Sequence, residues 1–85
     1  MSKPIVMYSQ SYCPYCAAAS ALLTKKGVEF TVIDLGNQPE KREEMLTRSN
    51  GARTVPQIFI GEQHIGGFDD MNALDKKGEL DSLLN

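Results

Sequence analysis

Ile5-Val6-Met7-Tyr8-Ser9-Gln10-Ser11-Tyr12-Cys13-Pro14-Tyr15-Cys16-Ala17-Ala18-Ala19-Ser20-Ala21-Leu22-Leu23 is the stretch whose reading decides the fold. Ile5-Val6-Met7-Tyr8 is short, apolar and partly β-branched, as suits a buried strand. The alanine-rich run from Ala17 to Leu23 has high helix propensity, and Gly27 supplies a stop just after Lys25 and Lys26. The two cysteines therefore stand where a strand hands over to a helix. Pro14 fits the first helical position, where its missing N–H would have lacked an intrahelical partner. Cys13 is then the cap, with the amides of Tyr15 and Cys16 facing its sulfur.

That placement has a chemical consequence. Free N–H groups and the positive end of the helix dipole favour a thiolate over a thiol. Cysteines so placed titrate at about 3.5–7.5 rather than roughly 8.5. Cys16 lies one turn along the same face, within reach of a disulfide formed at Cys13. Cys13 thus reads as the attacking thiolate and Cys16 as the resolving thiol. Two other readings stand beside it. Half of a zinc site is one, although zinc usually takes four ligands and the chain offers no third cysteine and only His64. A structural disulfide is the other, although so short a loop constrains the unfolded chain little.

The totals bound the rest. Eighty-five residues suit one small domain, 1–85, with a modest core. A hydrophobic fraction of 41% is ordinary for a globular protein, and a net charge of −2 without a basic cluster argues against nucleic-acid binding. No apolar run approaches the ~20 residues of a membrane span, and the N-terminus lacks a signal-peptide pattern. The expectation is a cytoplasmic monomer whose cysteine pair cycles in a reducing compartment.

Further along, Val28-Glu29-Phe30-Thr31-Val32-Ile33-Asp34-Leu35 reads as a second strand, parallel to the first through a right-handed crossover. Asn37-Gln38-Pro39-Glu40 starts a second helix, with Pro39 in its first turn and Met45 and Leu46 on its apolar face. The run Glu40-Lys41-Arg42-Glu43-Glu44 is a solvated face. Thr54-Val55-Pro56-Gln57-Ile58-Phe59-Ile60 is β-rich, with a proline suited to an edge, a strand start or a cis turn. Gly61-Glu62 predicts a two-residue hairpin turn leading to Gln63-His64-Ile65, ended by Gly66-Gly67. His64 reads as an exposed strand residue. From Phe68 a third helix follows, capped by an aspartate and stopped near Gly78, and Leu80, Leu83 and Leu84 mark a final short helix. The order is βαβαββα plus a terminal helical turn. It predicts an α/β fold with a four-stranded mixed sheet and helices on both faces. By fold analogy the arrangement is thioredoxin-like, with strand order 2-1-3-4.

At this point the chain resembles the glutaredoxins of the dithiol class. The resemblance rests on Cys13-Pro14-Tyr15-Cys16, Thr54-Val55-Pro56 and Gly66-Gly67-Phe68-Asp69-Asp70, in that order. Thioredoxins usually carry Gly-Pro between the cysteines and tryptophan before them; here Tyr12 holds that position. The resemblance implies a glutathione-dependent oxidoreductase acting on glutathionylated and disulfide-containing proteins, with glutathione as co-substrate and no metal. It implies a cis bond before Pro56 and a backbone edge at Thr54 and Val55 for the cysteinyl part of glutathione. The helix start after Gly67, including Phe68, would hold the γ-glutamyl carboxylate. Asp69 and Asp70 would hold its ammonium, with Asp69 the favoured residue for a dual role as cap. Tyr15 would pack along the tripeptide, and Arg53 or Arg42 would meet its glycyl carboxylate.

Two departures stand out. Gln10 occupies a position where lysine is frequent in the family, which removes a cation near the thiolate and the glycyl carboxylate. Phe68 stands where small or sulfur-bearing residues are common. The alternatives to the implied function are a general thioredoxin-type reductase fed by a flavoenzyme, and an iron–sulfur carrier bridging two chains. Pro14 argues against the carrier because it stiffens the approach to the cysteine.

Overall fold

The computed structural model describes residues 3–84. Strand β1 (Ile5–Ser9) leads into helix α1 (Pro14–Lys25), which returns to strand β2 (Thr31–Asp34). Helix α2 (Lys41–Arg48), the hairpin of β3 (Gln57–Ile60) and β4 (Gln63–Gly66), and helices α3 (Phe68–Lys76) and α4 (Leu80–Leu84) follow. The sheet runs β2-β1-β3-β4, as the sequence predicts. β1 pairs parallel with β2 and antiparallel with β3, and β3 pairs antiparallel with β4. Among the described residues no helix is long and apolar enough to cross a membrane.

Alternation along the two inner strands divides the interior in two. Ile5, Met7, Ile58 and Ile60 face one side, where Ala19 and Leu23 of α1, Met71 of α3 and Leu80 and Leu84 of α4 cover them. Cys16, Ala19 and Leu23 form the buried stripe of α1, spaced three and four residues apart. Leu23 is fully buried, so truncation to alanine would cost roughly 2–5 kcal/mol. Tyr8 and Phe59 face the other side with Leu35 and Met45 of α2. Helices therefore cover both faces of the sheet.

On that second side the interior is partly polar. The Tyr8 hydroxyl donates to Glu44 Oε2 and accepts from Arg48 Nη1 at 3.1 Å. The Arg48 guanidinium also lies 4.3 Å from the Phe59 ring centroid, and the Tyr8 and Phe59 rings meet edge to face.

Several boundaries differ from the sequence reading. β2 occupies only Thr31–Asp34, because pairing with β1 begins at Val6 opposite Thr31 and ends at Ser9 opposite Asp34. Val28 and Phe30 instead pack their side chains against the first core without joining the ladder. Helix α2 starts at Lys41, two residues beyond Pro39, whose carbonyl accepts from the Arg42 amide in the preceding turn. β3 starts at Gln57, so Thr54, Val55 and Pro56 form the approach to the strand. The hairpin turn is the one expected: Ile60 pairs with Gln63, and Gly61 takes φ +61° between them.

Candidate active site

Tyr12, with φ +60° and its ring wholly in solvent, ends the loop between β1 and α1. Cys13 follows as the N-cap of α1, with extended backbone (φ −109°, ψ 103°), and Pro14 takes the first helical position. Of the two amides expected at its sulfur, only that of Cys16 donates, at 3.1 Å. The cap side chain reaches the third helical amide here, one turn along, and not the second. Cys13 and Cys16 form a disulfide, with Cα atoms 5.2 Å apart. Cys13 is half-buried, whereas Cys16 is only 4% exposed. One sulfur is thus open to a reaction partner and the other lies behind it.

The loop before β3 approaches the same sulfur. The Val55–Pro56 peptide is cis, and the Val55 carbonyl oxygen lies 3.8 Å from Cys13 Sγ. Beside it runs a cleft of about 340 Å³, lined by Tyr15, Thr54, Val55, Pro56, Gly67, Phe68, Asp69 and Asp70, with Ala52, Gln57, His64 and Gly66 completing its walls. The rings of Tyr15 and Phe68 lie 6.4 Å apart across it.

The start of helix α3 lines the cleft too. Gly67 is its N-cap, and the Asp70 carboxylate reaches back to accept the Gly67 amide at 3.1 Å. The capping role assigned to Asp69 thus belongs to Asp70, the third helical residue, which is placed to fold back on the cap. Gly66 makes room for this, since a Cβ there would fall on the Asp70 carboxylate. Two carboxylates and a helix start therefore line the same cleft as the Thr54–Pro56 backbone, whose Val55 carbonyl lies beside Cys13 Sγ.

Eight of the expected site residues beyond the cysteines thus meet in one cleft. Arg53, Arg42 and Gln10 do not line it; all three side chains are exposed. Gln57 and His64, which the sequence does not mark as site residues, both line it, joined by a contact of 2.6 Å between Gln57 Oε1 and His64 Nε2. The available signal was Gln57 itself, a polar residue at the head of an otherwise apolar strand. Among the described residues no cluster of three or more histidine, cysteine, aspartate or glutamate side chains could hold a metal ion.

Comparison with known proteins gives a consistent result. The family model described as Glutaredoxin matches residues 5–65. A curated protein of Pseudomonas aeruginosa named Glutaredoxin is 51% identical over 82 residues, covering 96% of this chain and 96% of the relative. The solution structure of a glutaredoxin from Brucella melitensis superposes with TM-score 0.82 at 52% identity, covering 98% of this chain and 89% of that one. The crystal structure of a buckwheat glutaredoxin–glutathione complex superposes with TM-score 0.86 at 32% identity, covering 96% and 76% of the two chains.

Proposed function

Since the chain belongs to the glutaredoxin family and is a thiol–disulfide oxidoreductase with a redox-active cysteine pair, we propose that glutathione is its reductant and co-substrate. Its substrates are then glutathione mixed disulfides and protein disulfides. The observation that carries this reading is the cleft lined by the Thr54–Pro56 backbone, the start of α3 and the two aspartates, next to Cys13 through the Val55 carbonyl. The solved glutathione complex of a structural relative supports it.

The tripeptide's chemistry matches that lining. Its extended cysteinyl segment suits the backbone of Val55, as an added strand suits a sheet edge. Its γ-glutamyl carboxylate suits the amides at the start of α3, and its ammonium suits Asp69 and Asp70. Tyr15 and Phe68 offer apolar walls between. For the glycyl carboxylate the candidate cation is the exposed Arg53, adjacent to Thr54 in the chain.

Each step of the cycle balances. The reduced Cys13 thiolate, favoured by the helix start, attacks the glutathionyl sulfur of a mixed disulfide. The original S–S bond breaks, the other partner leaves as a thiolate that takes a proton from water, and Cys13 is glutathionylated. A second glutathione thiolate attacks the glutathione sulfur of that adduct. Oxidised glutathione departs, and Cys13 leaves as a good, low-basicity thiolate. With a protein disulfide, Cys16 loses its proton and attacks the mixed disulfide at Cys13. The substrate is released as a dithiol and the Cys13–Cys16 bond forms. Two glutathiones then return the pair to dithiol and leave as one disulfide. A reducing cytoplasm is the setting this cycle requires.

The test couples a glutathionylated peptide to glutathione, glutathione reductase and NADPH, with thioredoxin reductase and NADPH as the parallel reaction. NADPH oxidation in the first and not the second is expected. Turnover only with thioredoxin reductase would overturn the reading.

A further inference from the structure

Gln57 takes no part in the sulfur chemistry, yet every polar atom of its side chain is engaged. It is 4% exposed at the head of β3. Its Nε2 donates to the Thr54 carbonyl at 2.9 Å and to the Thr54 hydroxyl at 3.3 Å. With both donors directed at Thr54, Oε1 accepts, so the proton of the 2.6 Å contact sits on His64 Nε2. The His64 ring is itself held, stacked on Phe59 with centroids 4.8 Å apart. A side chain on β4 thereby orients a buried amide on β3, and that amide grips the residue before Val55.

What the grip controls follows from peptide geometry. The Thr54 carbonyl and the Val55 N–H belong to one planar trans unit, so they point in opposite directions. Holding the carbonyl against Gln57 turns the Val55 N–H away from the sheet. Among the described residues that N–H has no hydrogen-bond partner. It is a donor held in a fixed direction on the wall of the cleft.

We propose that Gln57, oriented by His64, is a positioning residue: it sets the peptide plane between Thr54 and Val55 and so aims the Val55 N–H at the bound thiol peptide. The proposal rests on the glutathione reading above. Substrate affinity then depends on a brace that touches neither sulfur. Gln57→Glu keeps the shape and the acceptor for His64 but offers no donor to Thr54. Its KM for a glutathionylated peptide rises about 10-fold, which at 1.4 kcal/mol per decade is about one hydrogen bond. The kcat stays within about twofold and the alkylation rate of reduced Cys13 is unchanged, because the sulfur is not involved. His64→Ala, at an exposed position, raises KM about threefold, and His64→Gln, which restores a donor to Gln57, returns it to near the original value.

The Val55 amide resonance in a ¹⁵N-labelled protein reads the same brace without substrate. It is sharp in the natural sequence and shifts or broadens in Gln57→Glu and His64→Ala. Unchanged KM and an unmoved Val55 resonance in folded variants would overturn the proposal. So would a fall in alkylation rate with KM unchanged, which would place the effect on the sulfur. A natural protein with no glutathione-dependent turnover would refute the substrate reading instead, and the Val55 resonance would still decide the brace.

Discussion

The two aspartates at the start of α3 can be separated by experiment, because only one of them caps the helix. Asp70 accepts the Gly67 amide at 3.1 Å, whereas Asp69 makes no such bond. Asp70→Ala removes the cap, worth about 1 kcal/mol, and a carboxylate at the positive helix end, worth roughly another 0.5 kcal/mol. At about 2.1 cal/mol/K per residue, an 85-residue chain unfolds with an entropy near 0.18 kcal/mol/K. The 1.5 kcal/mol loss therefore lowers Tm by about 8 °C. Asp70→Asn keeps an oxygen for the Gly67 amide and lowers Tm by only about 3 °C. Asp69→Ala stays within about 3 °C as well, having only the dipole contribution to lose. Affinity sorts the same variants differently. On the proposed glutathione reading, each loses one carboxylate that would face the tripeptide's ammonium in an open cleft, about 0.5–1 kcal/mol, so KM rises roughly two- to fivefold in all three. Calorimetry of the oxidised protein and steady-state turnover of a glutathionylated peptide give the two readings. The reasoning fails if Asp69→Ala lowers Tm as far as Asp70→Ala, or if KM is unmoved in every variant.

Other consequences concern the sulfurs and the polar side of the interior. Cys16→Ser retains reduction of glutathione mixed disulfides and loses the intramolecular route, while Cys13→Ser abolishes both; residual turnover without Cys13 would contradict the roles. Tyr8→Phe removes a buried hydroxyl that bridges Glu44 and Arg48, costing about 1.5 kcal/mol, and urea denaturation with an unchanged midpoint would show the bridge to be idle. The same bridge sets the pH limits of stability. The Tyr8 hydroxyl holds the Glu44 carboxyl below its ordinary 4.5, helped by Lys41 and Arg48 and opposed by burial. That contribution is present above about pH 4.5 and is lost as pH falls through the folded value, so Glu44→Gln flattens the acid limb of the urea-midpoint profile. Burial and then Glu44 raise Tyr8 above 10.0, so stability falls as pH climbs from about 10 through the folded value, and Tyr8→Phe removes that alkaline slope.

Much of this architecture is legible in the chain because short-range chemistry and long-range topology agree. Pro14 beside Cys13 marks a helix start, Gly61-Glu62 marks a hairpin, and the apolar run Ile5–Tyr8 marks a buried strand, whose central place follows from the fold it resembles. What the chain conceals depends on partners distant in sequence. Alternation from Val28 onward looks like a strand, but only Thr31–Asp34 has β1 to pair with. Asp69 and Asp70 are equivalent on paper; the third helical position folds back on Gly67 and the second does not. Arg42 and Arg53 carry the right charge for a carboxylate, yet neither lines the cleft. His64 does face solvent, as expected of a strand residue, but its part in the cleft is visible only once β4 is laid against β3 and its ring meets Gln57.

The central claim is that α1 begins by holding an anionic sulfur at Cys13, and alkylation tests it directly. In fully reduced Cys16→Ser, the rate of reaction with iodoacetamide is measured from pH 4 to 10. A rate already at its plateau by about pH 7.5, with its inflection below, is the predicted result. An inflection near 8.5, that of an ordinary thiol, would contradict the account.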